Sequence, residues 1–309
     1  MTRSEPHQAT FDGEPLPAAL CSAIAAEFEA ALAAVAARAD APEKRVHNTR
    51  KHLKRWRALR RLLPRPTEAR LRRVQHVVQL VAQRLGSVRD PVAQRETWLQ
   101  FASDHEERER FEPVTERLDR TCREQTERGT VLARLQRAER ALTVAGLELK
   151  AALQTQPQTS DTGLGALTDG FWHSYRRARR ALRRALRRPT NKRLHALRRA
   201  NKVHQYQLQF LEPLWKKPLK AERSQAKKLS EQLGEHHDLS GISLGLNRAG
   251  DAAPLSARPQ LEAWQRDLEL RALRRAALVY GERPRALRQR IRDLIDPPLW
   301  LSRSGTSLA

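Results

Sequence analysis

The sequence predicts an all-α protein built from two similar helical halves. Three observations predict it. Apolar residues recur at three- and four-residue spacing through most of the 309 residues, and no stretch alternates with the two-residue period of a strand. Segments also repeat in one register. VHNTRKHLK from Val46 is matched by LHALRRANK from Leu194, and LGSVRD from Leu85 by LGEHHD from Leu233, each pair 148 residues apart. Two matches at one offset indicate an internal duplication, and so long a period fits two half-domains and not a solenoid. Finally, QTQPQTSDTGLG, Gln154–Gly165, is a polar, Gly- and Pro-containing break near the middle of the chain.

Residues 1–15 mix Pro, Gly and polar side chains without a period and are expected to be flexible. The first helical half is residues 16–153. Pro17–Ala39 is Ala-rich with spaced Leu, Ile and Phe, and Asp40–Pro42 breaks it. The next helix begins near Val46 and stops near Pro64 and Pro66, because proline cannot continue a helix. Thr67–Gly86 ends on a glycine that can close a helix in a left-handed turn. Asp90–Pro91 reads as a turn, or as a helix start with Pro in the first turn. Val92–Ala102, Glu107–Gln125 and Gly129–Leu153 complete the half. After the linker, 154–165, the second half covers 166–297. Its helices are Phe171–Arg188, then the helix carrying His195, then Leu219–Gly234, Leu261–Tyr280 and Pro284–Ile295, with Leu246–Pro259 as a loop. Residues 298–309 form a tail. Antiparallel helices joined by short turns suggest a four-helix-type bundle in each half.

Charge is the strongest functional signal. The chain holds 59 Lys and Arg against 35 Asp and Glu, a formal net charge of +24. That exceeds what solubility needs and implies polyanionic partners: nucleic acid, an anionic membrane surface or inorganic polyphosphate. The excess is clustered. No acid occurs from Gly170 to Leu211, a span with 13 Arg and Lys, whereas Asp104–Glu127 is net acidic. The two cysteines, Cys21 and Cys122, have no metal or redox spacing, as expected in a reducing cytoplasm. Met1–Pro17 lacks the apolar core of a secretory signal, and no run looks long and apolar enough to span a membrane, so a cytoplasmic protein is expected.

Two basic helix faces follow from the spacing. On a helix, Arg50, Lys51, Lys54, Arg55 and Arg61 fall on the side of His47, with Val46, Leu53, Trp56, Leu59 and Leu63 opposite. No acid lies between Glu43 and Glu68 to neutralise that face. In the second half His195, Arg198, Arg199 and Lys202 repeat the spacing of His47, Arg50, Lys51 and Lys54. Such faces present donors to successive anionic groups, Arg as a fork that matches phosphate and Lys as a mobile point charge. A further basic wall, without counterpart in the first half, consists of His173, Arg176, Arg179, Arg180, Arg183 and Arg187. The repeated histidines sit among cations, which should lower their pKa. No Cys or second His stands three or four residues after His47 or His195, so metal ligation is not expected. The LG-x-x-x-D segments read as structural corners, Gly ending one helix and Asp capping the next. No phosphate loop, nucleophile elbow or HExxH occurs, and no catalytic residue or cofactor is expected.

The histidine-bearing basic faces, the LG-x-x-x-D segments, YRRARRALRRAL and the duplication, in this order, resemble the CHAD family over residues 17–296. The resemblance implies two pseudo-symmetric four-helix bundles around a basic central groove or pore. It also implies specific binding of inorganic polyphosphate and association with polyphosphate-containing granules, where granule proteins would be further partners. By position His47, Arg50, Lys51, Lys54 and Arg55 match the first motif, and His195, Arg198, Arg199, Lys202 and Tyr206 the second. The chain departs from the pattern where Val203, His204 and Gln205 replace expected basic positions, and where LGEHHD lacks an equivalent of Arg89. It resembles a stand-alone binding module, since the Glu-x-Glu-x-Lys strand of a triphosphatase domain is not found; Glu107-Arg108-Glu109 is mid-chain in a helical pattern. The alternative is a nucleic-acid-binding helical protein. It is disfavoured because only Tyr206, Trp172 and Tyr175 could offer stacking surfaces among the basic residues. A polyphosphate-cleaving or -forming enzyme would need metal-binding carboxylates facing its substrate, and the basic faces contain none.

Overall fold

The computed structural model describes residues 10–11, 14–103, 112–154, 160–248 and 258–295. A two-residue hairpin, β1 (Thr10–Phe11) and β2 (Glu14–Pro15), precedes the helices. They are α1 (Leu16–Ala36), α2 (Pro42–Leu59), α3 (Arg65–Arg70), α4 (Arg72–Ser103), α5 (Glu112–Gln125), α6 (Arg128–Gln154), α7 (Ser160–Arg187), α8 (Asn191–Leu211), α9 (Lys216–Arg248), α10 (Arg258–Val279) and α11 (Pro284–Ile295). The class is all-α, as predicted. Shifted by 148 residues, α1, α2 and α4 overlay the sequence positions of α7, α8 and α9, so the duplication extends to the order of elements.

Several expected boundaries differ. Leu85–Asp90 and Leu233–Asp238 are not corners: both lie inside long helices, α4 and α9. Pro91 sits within α4, where its missing N–H removes one rung without ending the helix. The expected loop 246–259 is helical to Arg248 and again from Arg258, and α7 begins at Ser160, inside the expected linker. The rest of the linker, the remainder of the N-terminus, the tail and the expected helix start at Glu107 lie outside the described residues.

The buried side chains do not separate into one core per half. One cluster runs from Leu20, Ile24 and Phe28 of α1 through Leu53 and Trp56 of α2 to Phe171, Tyr175 and Leu208 of α7 and α8. Trp56 meets Phe28 edge-on with ring centroids 5.8 Å apart. A second, smaller cluster joins the far ends of α4 and α9 to α5 and α10, with Trp264 stacked on Phe101 at 4.9 Å. Thus both cores mix residues from the two halves. Contrary to the sequence expectation, α1 has the length and composition of a membrane span, at a mean hydropathy of 1.7. Here its Leu16, Leu20, Ile24, Phe28, Ala31 and Val35 stripe packs into the main core.

Candidate polyanion-binding site

The site is built on α2 and α8. Equivalent residues meet along the two helices, Arg50 within electrostatic reach of Arg198 and Lys54 of Lys202, and one turn farther on Gln207 Nε2 donates to the carbonyl of Ala58 at 3.0 Å. The helices therefore lie side by side and run the same way. Each buries its apolar side, Leu53 and Trp56 on α2 and Leu197 and Leu208 on α8. The basic sides converge between them.

Glycines explain how close the surrounding helices come. Arg50 lies on the backbone of α4, where its Nη1 donates to the Ala82 carbonyl at 2.8 Å and its Nη2 pairs with Asp90 at 3.2 Å. A Cβ on Gly86 would stand 2.5 Å from Arg50 Nη1. Gly234 is the counterpart: a Cβ there would stand 3.6 Å from Arg198 Nη2, and Asp238 lies in the field of Arg198. The LG-x-x-x-D motif thus places a Gly and an Asp four residues apart on one helix face, a cradle that the arginine of the neighbouring helix enters. Turn chemistry led to the wrong reading because Gly and Asp serve both purposes, and only the packing partner tells them apart.

Few acids relieve the assembled cations. Burial pushes Lys202 down to about 8, and Arg198 and Lys227 add to the effect. Lys54 is likewise pushed to about 8, first by the protein around its ammonium and then by Arg50, Arg198 and Lys202. Its side chain still reaches water, which softens the effect. Lys202 also donates to Gln205 Oε1 at 3.2 Å, and that oxygen accepts from Ser230 Oγ at 2.9 Å. His195 is pushed down to about 4 by burial, then by His237, Arg198 and Arg199, and its ring lies 4.6 Å from that of His237. His47 is exposed and lowered by partial burial, then by Arg89, Lys54 and Lys51. His195 is therefore neutral at neutral pH. Asp238 is raised to about 6, mainly by burial and against the pull of Arg198.

The expected residues divide into those the fold brings together and those it does not. His47, Arg50, Lys51, Lys54, His195, Arg198, Arg199 and Lys202 surround the α2–α8 pair. Arg55 is engaged by Glu27 at 3.3 Å, and the Tyr206 ring lies 5.9 Å from Arg55 and 5.8 Å from Lys202. Arg61 lies farther along, beside Arg177, pushed to about 10 by burial first and that neighbour second. The α7 wall is elsewhere. Arg176 stacks on Trp172 at 4.4 Å, His173 Nε2 is 3.5 Å from Arg65 Nη2, and Arg179 lies by Tyr175. Arg180, Arg183 and Arg187 are exposed on that outer face. Sequence reasoning missed Arg57, Arg177 and His237, and assigned no role to Arg89, which lies beside His47. Of the positions where the chain departs from the basic family pattern, 204 and 205 are buried: His204 is enclosed by Phe171, Tyr175 and Tyr280 and pushed to about 3 by burial. Among the described residues, no three His, Cys, Asp or Glu side chains stand close enough to hold a metal ion.

Comparison with known proteins agrees with the all-α fold. The chain superposes on the crystal structure of the CHAD domain from the plant Ricinus communis with a TM-score of 0.60 over 96% of this chain and 99% of that one, at 15% identity. No curated protein sequence matches it. The family model for the CHAD domain matches residues 22–241, which contain both basic helices and both glycine cradles, and the chain belongs to the CHAD domain family.

Proposed function

We propose that the α2–α8 face binds inorganic polyphosphate without catalysing a reaction, and that the protein works in the cytoplasm on polyphosphate-containing granules, beside granule proteins. The observation that carries the reading is the pairing of Lys54 with Lys202 and of Arg50 with Arg198, cations held close together, where burial first and then the partner's charge lower Lys54 and Arg50. Holding like charges together costs stability unless an anion is there to relieve it. Polyphosphate supplies regularly spaced oxygens and no bases. The aromatic residues suit such a ligand better than nucleic acid. Tyr206 is half-buried between Arg55 and Lys202, Trp172 is covered by Arg176 and Arg288, and Tyr175 is buried with its hydroxyl on the Glu282 carbonyl. None offers a free ring for stacking.

Arg50 acts here as a strut whose guanidinium is already committed to Asp90 and Ala82, while Lys54, Lys202, Lys51 and Arg199 provide mobile donors. Binding should be measured as a function of salt, with single- and double-stranded DNA as competitors and a radiolabelled chain to detect turnover. If these four cations contact phosphates, log affinity should fall with log salt at a slope of about −2.8, using the single-strand coefficient. A flat salt response, or DNA displacing polyphosphate at equal phosphate concentration, would overturn the assignment. Phosphate release in the presence of Mg²⁺ or Mn²⁺ would show a catalytic protein instead.

A further inference from the structure

We propose that the binding face is lopsided: an arginine track, Arg199–Arg57–Arg61–Arg177, leads away from the lysine pair on one side only and gives the protein its grip on long polyanions. The inference rests on the polyphosphate reading and adds a subsite to it. The track is continuous. Arg199 lies in the field of His195 and of Arg57, Arg57 in that of Arg61, and Arg61 in that of Arg177. It draws on three helices, α8, α2 with the short turn after it, and α7. The nearest acid, Glu68, is already taken by the buried Arg60 at 2.8 Å. Arg61 Nε is buried with no hydrogen-bond partner among the described residues.

The junction beneath the track is fixed by close packing. Gly170 of α7 lies against the backbone of Arg61 and Leu62, and a Cβ at this position would fall 2.8 Å from Leu62 Cα. Buried Gln207 bonds at once to the Ala58 carbonyl, at 3.0 Å, and to Ser174 Oγ, at 3.1 Å, tying α8 to α2 and α7. Arg177 is seven residues beyond Gly170, two turns along the same side of α7, which sets it beside Arg61.

The duplicated positions lack the track. Displaced by 148 residues, Arg57 corresponds to Gln205, Arg61 to Gln209 and Arg177 to Glu29; only Arg199 keeps a cation, Lys51. On that side Glu27 already binds His52 and Arg55, and Gln205 is buried beneath Lys202. A short anion satisfied by the lysine pair gains little from distant arginines. A long chain leaving the pair meets four cations on one side, and on the other one lysine, a glutamate and two glutamines.

The test compares affinities for long-chain polyphosphate and for tripolyphosphate at one salt concentration, in wild type and R61Q/R177Q. A third protein, R140Q/K150Q, removes two exposed charges from α6 and controls for net charge. The long-over-short ratio should fall at least about tenfold in R61Q/R177Q, the long-chain salt slope should flatten by about 1.4, and the α6 variant should keep the wild-type ratio. R177Q alone, at an exposed position, should show part of the same loss and carries the test if the double variant does not fold. An unchanged ratio in the variants that fold, or an equal loss in R140Q/K150Q, overturns the track. Failure of the wild type to bind polyphosphate at all overturns instead the function on which it rests.

Discussion

Replacing Lys54 and Lys202 together by Gln should lower the affinity for long-chain polyphosphate about a hundredfold at low salt, and yet raise the melting temperature of the free protein. Each lysine offers a charge-assisted contact worth about 1.5 kcal/mol or more, and two of them give about two decades. The stability change has the opposite sign because the free protein holds these ammonium groups against Arg50, Arg198 and each other. Salt should narrow the gain in melting temperature, since screening weakens the repulsion that the substitution removes. In the wild type, pH should separate the two effects in the same way. Both lysines titrate near 8 in the folded protein, against an ordinary value of 10.5. Between these values the unfolded chain binds more protons than the folded one, so stability contributed by these groups rises as pH increases from 8 to 10.5. Affinity falls across the same rise, because the deprotonated lysines no longer attract the anion. A double variant that melts lower than wild type at low salt would contradict the picture of a strained basic face.

Gly170→Ala should be the most damaging small substitution in the described chain, costing about 3 kcal/mol. The added methyl would strike main-chain atoms, the Arg61 carbonyl and Leu62 Cα, and main chain gives way less readily than a flexible side-chain tip. Gly86→Ala is the contrasting case, because there the obstacle is the mobile end of Arg50. Chemical denaturation of the two variants should show a large drop in midpoint for Gly170→Ala and a smaller one for Gly86→Ala. The reverse order would mean that α7 does not press on the 60–62 turn as described.

The basic helices were legible because helical spacing and the missing acids are both one-dimensional signals. His47, Arg50, Lys51 and Lys54 were placed by periodicity alone, and their counterparts by the repeat. What the sequence concealed depends on partners far along the chain. Gly86 and Gly234 look like helix stops until an arginine from another helix is seen lying on them. Gln205 looks like a lost cation until its side chain is seen buried beneath Lys202. Arg177 was passed over because the helical wheel of α7 gives its widest basic face to Arg176, Arg180, Arg183 and Arg187, whereas the contact with the 60–62 turn selects another side. The single main core was hidden for a similar reason. Periodicity says which face of a helix is buried, and says nothing about whether the covering helix comes from its own half.

In the proposed binding mode the paired lysines of the two halves share one bound polyanion. Calorimetric titration with long-chain polyphosphate at pH 8.5, repeated in buffers of different ionisation enthalpy, measures the protons taken up on binding. Free lysines titrating near 8 are mostly uncharged at that pH, and a bound polyanion favours their charged form. The wild type should therefore take up between about one and two protons per binding event, and K54Q/K202Q should take up almost none. Equal uptake by both proteins, or no uptake by the wild type at a saturated site, would contradict the account.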